Sequence, residues 1–582
     1  MSQDCFRVLK VDLGTGKGEF VEVEGRNDVA GGSGLAALLF SQFGQLGESW
    51  NHPQQPLIFA IGPLTGYFPL MSKTVCAFRS PYHDQYAESH AGGRCALSLR
   101  FANLDALVLI GRAASPSCVT VGSRQLELRE TAYLWGMDVH QSGKILRRML
   151  QGAGHRSLLR IGPAGERGSA MACINVDTFR HFGRLGGGAV MGVKRLKAIC
   201  IVGDTSFPLP EGREYADLFA RAHQQVTATD MMAKYHNLGT PVNVVVLNGL
   251  KALPCKNLQE TSDPGVAGIT GERFADDSLL RNTAWSGCPV GCIHLGLIRE
   301  KFQADNRYLY RQVAYDFEPI FSMGSMLGVF DGPAVLTLLD AVERLGLDVM
   351  SAGVALAWAT EAREKGLVGD KDTVVPLRFG DAGTYREALN LLARGATDFY
   401  RLLSSGVLKA GARYGGEDFA CVLGQEMAGY ATGEVSFVSQ ALGLRHSHLD
   451  AAGYSYDEKG SGKDVDAAAE FLSADERSRA LLTSMVACLF ARSIYSEAFL
   501  SECLRVLGFE TLSGTLPEVS ANVQRRRWVA RLATGFDPKA VRIPRRFTEV
   551  SNWKGDVDPI FLSSLKAAYS ARIESLGSTP AP

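Results

Sequence analysis

The chain lacks long apolar runs. None approaches the roughly 18 residues that a membrane-spanning helix needs, and the longest candidates, LDALVLIG and VNVVVLNGL, have the length of strands. It also lacks a charge excess: Lys plus Arg and Asp plus Glu each total 61, so the formal net charge is zero. That balance argues against a dedicated nucleic-acid binder, yet leaves room for a local basic patch facing an acidic redox partner. No charged head followed by an apolar stretch opens MSQDCFRVLK, so no secretory leader is expected and a cytoplasmic setting is. There is no short-period repeat and no low-complexity tract apart from GSTPAP. The twelve cysteines are scattered rather than framed in a short domain. In a reducing setting most should be free thiols, and a close group is better read as metal-binding than as disulfide-bonded.

Glycine is what the chain has in surplus, 63 of 582 residues concentrated in the first part, against an average usage of roughly 7%. Glycine lets main chain approach a ligand closely or adopt positive φ. The surplus therefore fits either a large cofactor held by backbone or a turn-rich β domain. The length predicts about three or four domains. RVLKVDL and EFVEV alternate around GTGKG and predict a hairpin. Strand-like runs recur at PLIFAIG, KTVCAFRS, ALVLIGR, CVTVGS and AICIVG, with a helix at GLAALLFSQFG. Beyond the linker SFPLPEG the period turns helical, in LTLLDAVERLGLDVMSAGVALAWATEAREKGL, TYREALNLLARGATDFYRLLSSG and RSRALLTSMVACLFARSIYSEAFLSECLRVLG. The reading is an α+β chain: a β-rich domain over 1–207, then two mostly α-helical domains over 208–420 and 421–582.

Several segments carry chemistry. Cys288 and Cys292 in WSGCPVGC can present two thiols to one cluster, or be two core cysteines in a turn; an iron–sulfur cube usually takes four thiolates. Cys488 in TSMVACLFA is a candidate third. GRLGGGAVMGVKRLKAI exposes backbone N–H groups beside Arg184, Lys194 and Lys197, which suits an anion or a tight structural turn, though it is neither a P-loop nor a dinucleotide fingerprint. In VERLGLD, Glu343 and Asp348 flank Gly346, either accepting paired hydrogen bonds from a pterin edge or facing solvent at a helix end. Glu318 in YDFEPIFSMG is a candidate general acid or base, and His446 or His448 in LRHSHLD a proton shuttle.

Together, in order, IGPLTG, MSK, ESHAGG, IGPAGE, GRLGGGAVMGVKRLKAI, LPCKNLQ, GCPVGC, FEPI, LGLD, RHSHLD and MVACLFA resemble the aldehyde ferredoxin oxidoreductase family over nearly the whole chain. The resemblance implies a β base for the cofactor with two helical domains closing over it. It implies tungsten, or molybdenum, held by two pterin dithiolenes with no protein ligand, a magnesium ion bridging the pterin phosphates, and a nearby [4Fe–4S] cluster. Carried over by position, Lys73, His90, Gly92, Arg184, Leu185, Gly187 and Gly188 would touch the pterin phosphates or magnesium, Leu185 through its carbonyl. Glu343, Leu347 and Asp348 would line one pterin, and Thr483, Ala487, Cys488 and Leu489 the other, with Arg445 a further contact. Glu318 would activate water, and His448 would hydrogen-bond the oxygen at the metal or the substrate carbonyl. The implied reaction is oxidation of a small aldehyde to a carboxylic acid, electrons passing through the cluster to ferredoxin or another electron-transfer protein. A homodimer is an analogy to the family.

The chain departs from the family pattern in ways that matter. Its cluster motif, C-x2-C-x3-C plus a distant Cys, has Trp285 at the first position, leaving Cys288, Cys292 and Cys488; an indole is no substitute for thiolate. Cys255 in LPCKN lies upstream. Lys73 replaces an arginine and loses its planar fork, Glu343 replaces an aspartate, Thr483 removes a carboxylate, and His90 stands for asparagine. These departures keep two alternatives open: a non-catalytic pterin-binding relative or subunit, and a low-potential reductase using the same centre.

Overall fold

A computed structural model describes residues 4–150, 154–301, 307–460 and 462–578. Two six-stranded sheets form its N-terminal part. The first runs β2-β1-β6-β3-β4-β5, from β1 (Cys5–Asp12), β2 (Lys17–Glu24), β3 (Leu57–Ala60), β4 (Thr74–Arg79), β5 (Tyr86–Ala91) and β6 (Ala106–Ile110). The expected hairpin is there: β1 and β2 pair antiparallel from Cys5↔Glu24 to Asp12↔Lys17, and Gly16 turns at φ +69°. The second sheet runs β11-β10-β9-β12-β7-β8, from β7 (Ser117–Gly122), β8 (Leu126–Glu130), β9 (His155–Arg160), β10 (Ile174–Val176), β11 (Arg180–Phe182) and β12 (Leu196–Gly203). The sheets share one core in which Phe59, Leu107 and Leu109 of the first meet Val119, Leu159 and Ile201 of the second. Strand β12 is buried along its whole length, which is why AICIVG reads as an unbroken apolar run.

Helices dominate after residue 203. Gly332–Leu345 and Val349–Glu364 form one helical stretch broken at Gly346 (φ +71°), a left-handed position that favours glycine. Asp348 caps the second helix by accepting from the amides of Met350 and Ser351. Helices Val465–Ser484, Leu516–Ala533 and Pro559–Ser578 pack on one another, and the first two also clasp Gly32–Phe43 of the N-terminal part. The chain end is thereby folded back onto the β base.

Three expectations fail. VNVVVLNGL is no strand: Asn243–Gly249 is helical, with Val244 and Leu247 buried and Val245 and Val246 exposed, so one-sided burial overrides β-branched propensity. The stretch around TSMVACLFA is not one long helix. It ends at Ser484, and Val486 takes φ +55° before Cys488 continues in extended backbone. A three-stranded antiparallel sheet interrupts the helical region: β13 (Leu279–Thr283), β14 (Ile293–Lys301) and β15 (Tyr308–Tyr315). The turn joining β13 to β14 carries Cys288 and Cys292. Among the described residues no single helix is long and apolar enough to cross a membrane.

Candidate functional site

The site is assembled where loops of the β base meet the broken helix Gly332–Glu364. Met171 accepts the amide of Asp348 at 2.7 Å, Gly346 accepts that of Cys173, and Ala172 bridges Leu347. Across this seam Arg184 reaches Asp348 Oδ2 (Nε, 3.2 Å), Ser351 Oγ (3.3 Å) and the carbonyl of Glu426 (2.5 Å). Its Nη1 is buried with no partner among the described residues. Leu185 and Gly186 both take positive φ, and the Leu185 carbonyl accepts from Ser80 Oγ at 2.7 Å. Gly188 is needed for close approach: a Cβ there would lie 2.4 Å from the Cys173 carbonyl. Glu343 accepts from Asn175 Nδ2 (3.1 Å) and pairs with His181 Nε2 (2.6 Å). Burial pushes its carboxyl up, but His181 outweighs that, aided by His140 and Arg160, and holds it at about 2.

The positive charge expected of KRLK is not available to a ligand. Lys194 is buried and donates to the carbonyls of Pro53 and Gly111, while Lys197 is buried against Glu166. Both serve the fold, because a buried ammonium needs acceptors and each finds them inside. His446 is likewise no shuttle. Its Nδ1 sits 2.9 Å from the Ala441 carbonyl, Arg531 faces Nε2, and burial with the Arg531 charge drives its pKa far down.

His90 and Arg445 meet at the far edge of the first sheet. Arg445 Nη1 lies 3.1 Å from His90 Nδ1, and His90 Nε2 lies 3.0 Å from Glu88 Oε2. A guanidinium only donates, so Nδ1 must accept and the ring is neutral. Burial and the Arg445 charge accordingly lower the His90 pKa to about 4. Arg445 is held by Asp450 (2.6 Å) and Glu88 by Arg527 (2.8 Å).

The three expected thiols come together through one residue. Leu70 donates its N–H to Gly287, the neighbour of Cys288, and accepts the N–H of Cys488. Lys73 donates its amide to Val486, and Met71 bridges Ala487. Burial and the Cys488 thiol push Cys288 up to about 12 and Cys292 to about 11. The amides of Val290 and Gly291 act on Cys288 in the opposite sense, as they would on a thiolate ligand. Cys255 is elsewhere, bonded to the Leu253 carbonyl beside Glu260. Trp285 is buried, its ring against Gly92 and between Lys73 Nζ (4.4 Å) and Arg180 Cζ (5.3 Å). Gly92 has to be glycine, since a Cβ would lie 2.6 Å from the indole. Among the described residues no three His, Cys, Asp or Glu side chains close on a single metal ion. Thr483 spends its hydroxyl on the Ala480 carbonyl, and Leu489 is half-buried just past Cys488.

Glu318 opens the helix Phe317–Met323. Its Oε1 is 3.1 Å from the Tyr430 hydroxyl and 3.2 Å from His448 Nε2. Burial raises its pKa, but the contacts with His448 and Tyr430 outweigh burial and leave it below the ordinary carboxylate value. His448 Nδ1 is buried with no partner among the described residues. Sequence reasoning missed Tyr430, whose ring lies tilted beside that of His448 (centroids 4.7 Å apart), and Asp316. Burial and the Glu318 charge push Asp316 up to about 6, against Arg180, His181 and Lys73. Asp316 stands two residues before Glu318 and was open to notice; nothing local marks Tyr430, in MAGYATG. Two open surface clefts, each of about 430 Å³, lie elsewhere, one beside Glu361 and Arg546 and one beside Glu214 and Glu502.

The N-terminal domain of aldehyde ferredoxin oxidoreductase matches residues 8–203, and domains 2 and 3 of the same enzyme match 217–572. The chain belongs to the aldehyde ferredoxin oxidoreductase family. Among characterised relatives, the tungsten-containing aldehyde ferredoxin oxidoreductase of Pyrococcus furiosus is 29% identical over 419 residues, 70% of this chain and 67% of that protein. The Pyrococcus abyssi protein of the same description is 28% identical over 65% of this chain, and only 62% of its own length is matched. The WOR-like subunit of an aliphatic sulfonate oxidoreductase of P. furiosus is 27% identical over 76% of this chain and 72% of its own. A solved structure, the active-site complex BamBC of benzoyl coenzyme A reductase with 1,5-dienoyl-CoA, superposes with a TM-score of 0.79 over 98% of this chain and 95% of that one. At 18% identity that likeness speaks to the fold of this family member, here a β base followed by helical parts.

Proposed function

We propose that this oxidoreductase-family protein oxidises a small aldehyde to the carboxylic acid at a tungsten (or molybdenum) centre held by two pterins, with ferredoxin or a similar carrier as electron acceptor. The observation that carries the reading is the Glu318–His448–Tyr430 group: a carboxylate kept ready to take a proton, beside a histidine with one free ring nitrogen. Buried donors without partners support a missing ligand, since native interiors leave few. Arg184 Nη1, Arg180 Nε and Ser72 Oγ are three such atoms around the proposed cofactor position.

In this reading Lys73, His90, Gly92, Arg184, Leu185, Gly187 and Gly188 hold the pterin phosphates and their magnesium. Glu343, Leu347 and Asp348 line one pterin, Thr483, Ala487, Cys488 and Leu489 the other, and Arg445 is a further cofactor contact. The carboxylate of Glu343 is already engaged by His181 and Asn175, so it serves a pterin through its remaining lone pairs. When bound, the metal centre supplies a two-electron acceptor and a Lewis acid. Glu318 takes a proton from water as its oxygen adds to the aldehyde carbon. With Nε2 turned to Glu318, His448 meets the carbonyl through Nδ1, which donates only when the ring carries both protons. The balance is aldehyde plus water giving acid, two protons and two electrons, the electrons passing singly to the carrier.

Metal analysis of anaerobically purified protein from a cofactor-competent host, with dye-linked aldehyde oxidation, tests the reading. Tungsten or molybdenum near one per chain is expected, with activity that Glu318→Gln abolishes; protein without either metal would end it. The sulfonate relative is matched over a larger share of this chain than the aldehyde enzyme, which favours sulfonates as the second substrate class to assay.

A further inference from the structure

A four-iron cube usually takes four thiolates, and this chain brings three to the place. Trp285 stands at the sequence position where the fourth is expected. Trp285 accepts the Cys288 amide with its carbonyl, so its ring starts one turn from that thiol. Lys73 Nζ and Arg180 Cζ lie 4.4 and 5.3 Å from the ring centre. Leu70, which ties Gly287 to Cys488, belongs to the same loop as Lys73, so indole and thiols share one neighbourhood. Trp285 is 8% exposed and its ring is pressed on Gly92. Its Nε1 is buried with no partner among the described residues. An indole N–H donates and never ligates. Asp316, a carboxylate whose charge bears on Cys292, sits at the start of the Glu318 helix.

We propose that Cys288, Cys292 and Cys488 hold a three-iron, four-sulfide cluster, with the Trp285 ring closing the corner of the missing iron and its N–H left to donate to a cluster sulfide. A fourth iron there would have no thiolate to hold it, and in this proposal it is lost. The orphaned N–H is what a sulfide acceptor would satisfy. The inference rests on the iron–sulfur part of the proposed function and not on the pterin centre.

Iron, acid-labile sulfide, tungsten and molybdenum should be counted per chain in anaerobically purified holoenzyme, with EPR of the oxidised and reduced protein. About three irons and about four sulfides are expected, with a signal in the oxidised protein, where a four-iron cube is silent. Trp285→Cys should raise the count to about four irons and move the signal to the reduced state. Four irons in the unsubstituted protein overturn the proposal, and loss of one on Asp316→Ala would then assign that carboxylate as the ligand. Absence of iron also overturns it. The unsubstituted protein decides even if Trp285→Cys does not fold. Three irons without tungsten or molybdenum refute the pterin reading and leave this inference standing; tungsten without iron does the reverse.

Discussion

Glu318 and Glu343 are both carboxylates with a histidine beside them, yet their surroundings give them different work. Glu343 has its oxygens bound by Asn175 and His181 and is held at about 2. Its folded pKa is depressed, so its stabilisation is complete above the unfolded value and disappears as pH falls from roughly 4.3 toward 2. We expect Glu343→Gln to remove about 3 kcal/mol of stability at pH 7 and to flatten the fall in melting temperature between pH 5 and 2 (roughly, from the same linkage), read by thermal scans across pH. Both side-chain partners of Glu318 meet the same oxygen, Oε1. Glu318→Gln should cost on the order of 10²–10⁴-fold in kcat while leaving the melting temperature nearly unchanged. Tyr430→Phe should cost less, roughly tenfold, and shift the acid limb of the pH–rate profile upward, because one group holding the Glu318 carboxyl down is gone.

At the scale of elements, the glycines of GAVMG let backbones pack closely. Helix Gly187–Val193 crosses helix Pro163–Glu166 at backbone contact. A Cβ on Gly192 would lie 1.9 Å from the Gly165 carbonyl, and one on Gly165 2.8 Å from that of Gly188. Gly192→Ala must force the helices apart and should cost about 1–3 kcal/mol, seen as a lower melting temperature. It should also weaken metal retention, because Gly187 and Arg184 ride on the same segment. The break of the C-terminal helix after Ser484 has a comparable logic. Extended backbone at Cys488 lets its amide pair with Leu70, which a continuing helix would have used internally.

Across the whole molecule, the C-terminal helices are tied to the β base by buried charge. Arg527 in helix Leu516–Ala533 pairs with Glu88 of β5 while Arg445, fixed by Asp450, reaches His90 on the same strand. Breaking such a pair leaves an uncompensated charge inside. Arg527→Met should therefore destabilise by about 3–5 kcal/mol. Glu88→Gln together with Arg527→Met should recover part of the loss, a result that a double-mutant denaturation series would show or refute.

Much was legible in the chain. Strand alternation, the GTGKG turn and the helical period past residue 207 set the class of fold, because period and turn chemistry are local properties. The thiols and Glu318 stood out because their residue types carry chemistry wherever they sit. What only the folded chain decided is where side chains point. Lys194 and Lys197 look like anion binders in a string of letters, and burial turns them inward to carbonyls and Glu166. Tyr430 meets Glu318 across a sequence separation of 112. The indole of Trp285 faces Gly92 and two cations from separate strands and loops. Those meetings depend on long-range packing, to which no local pattern is sensitive.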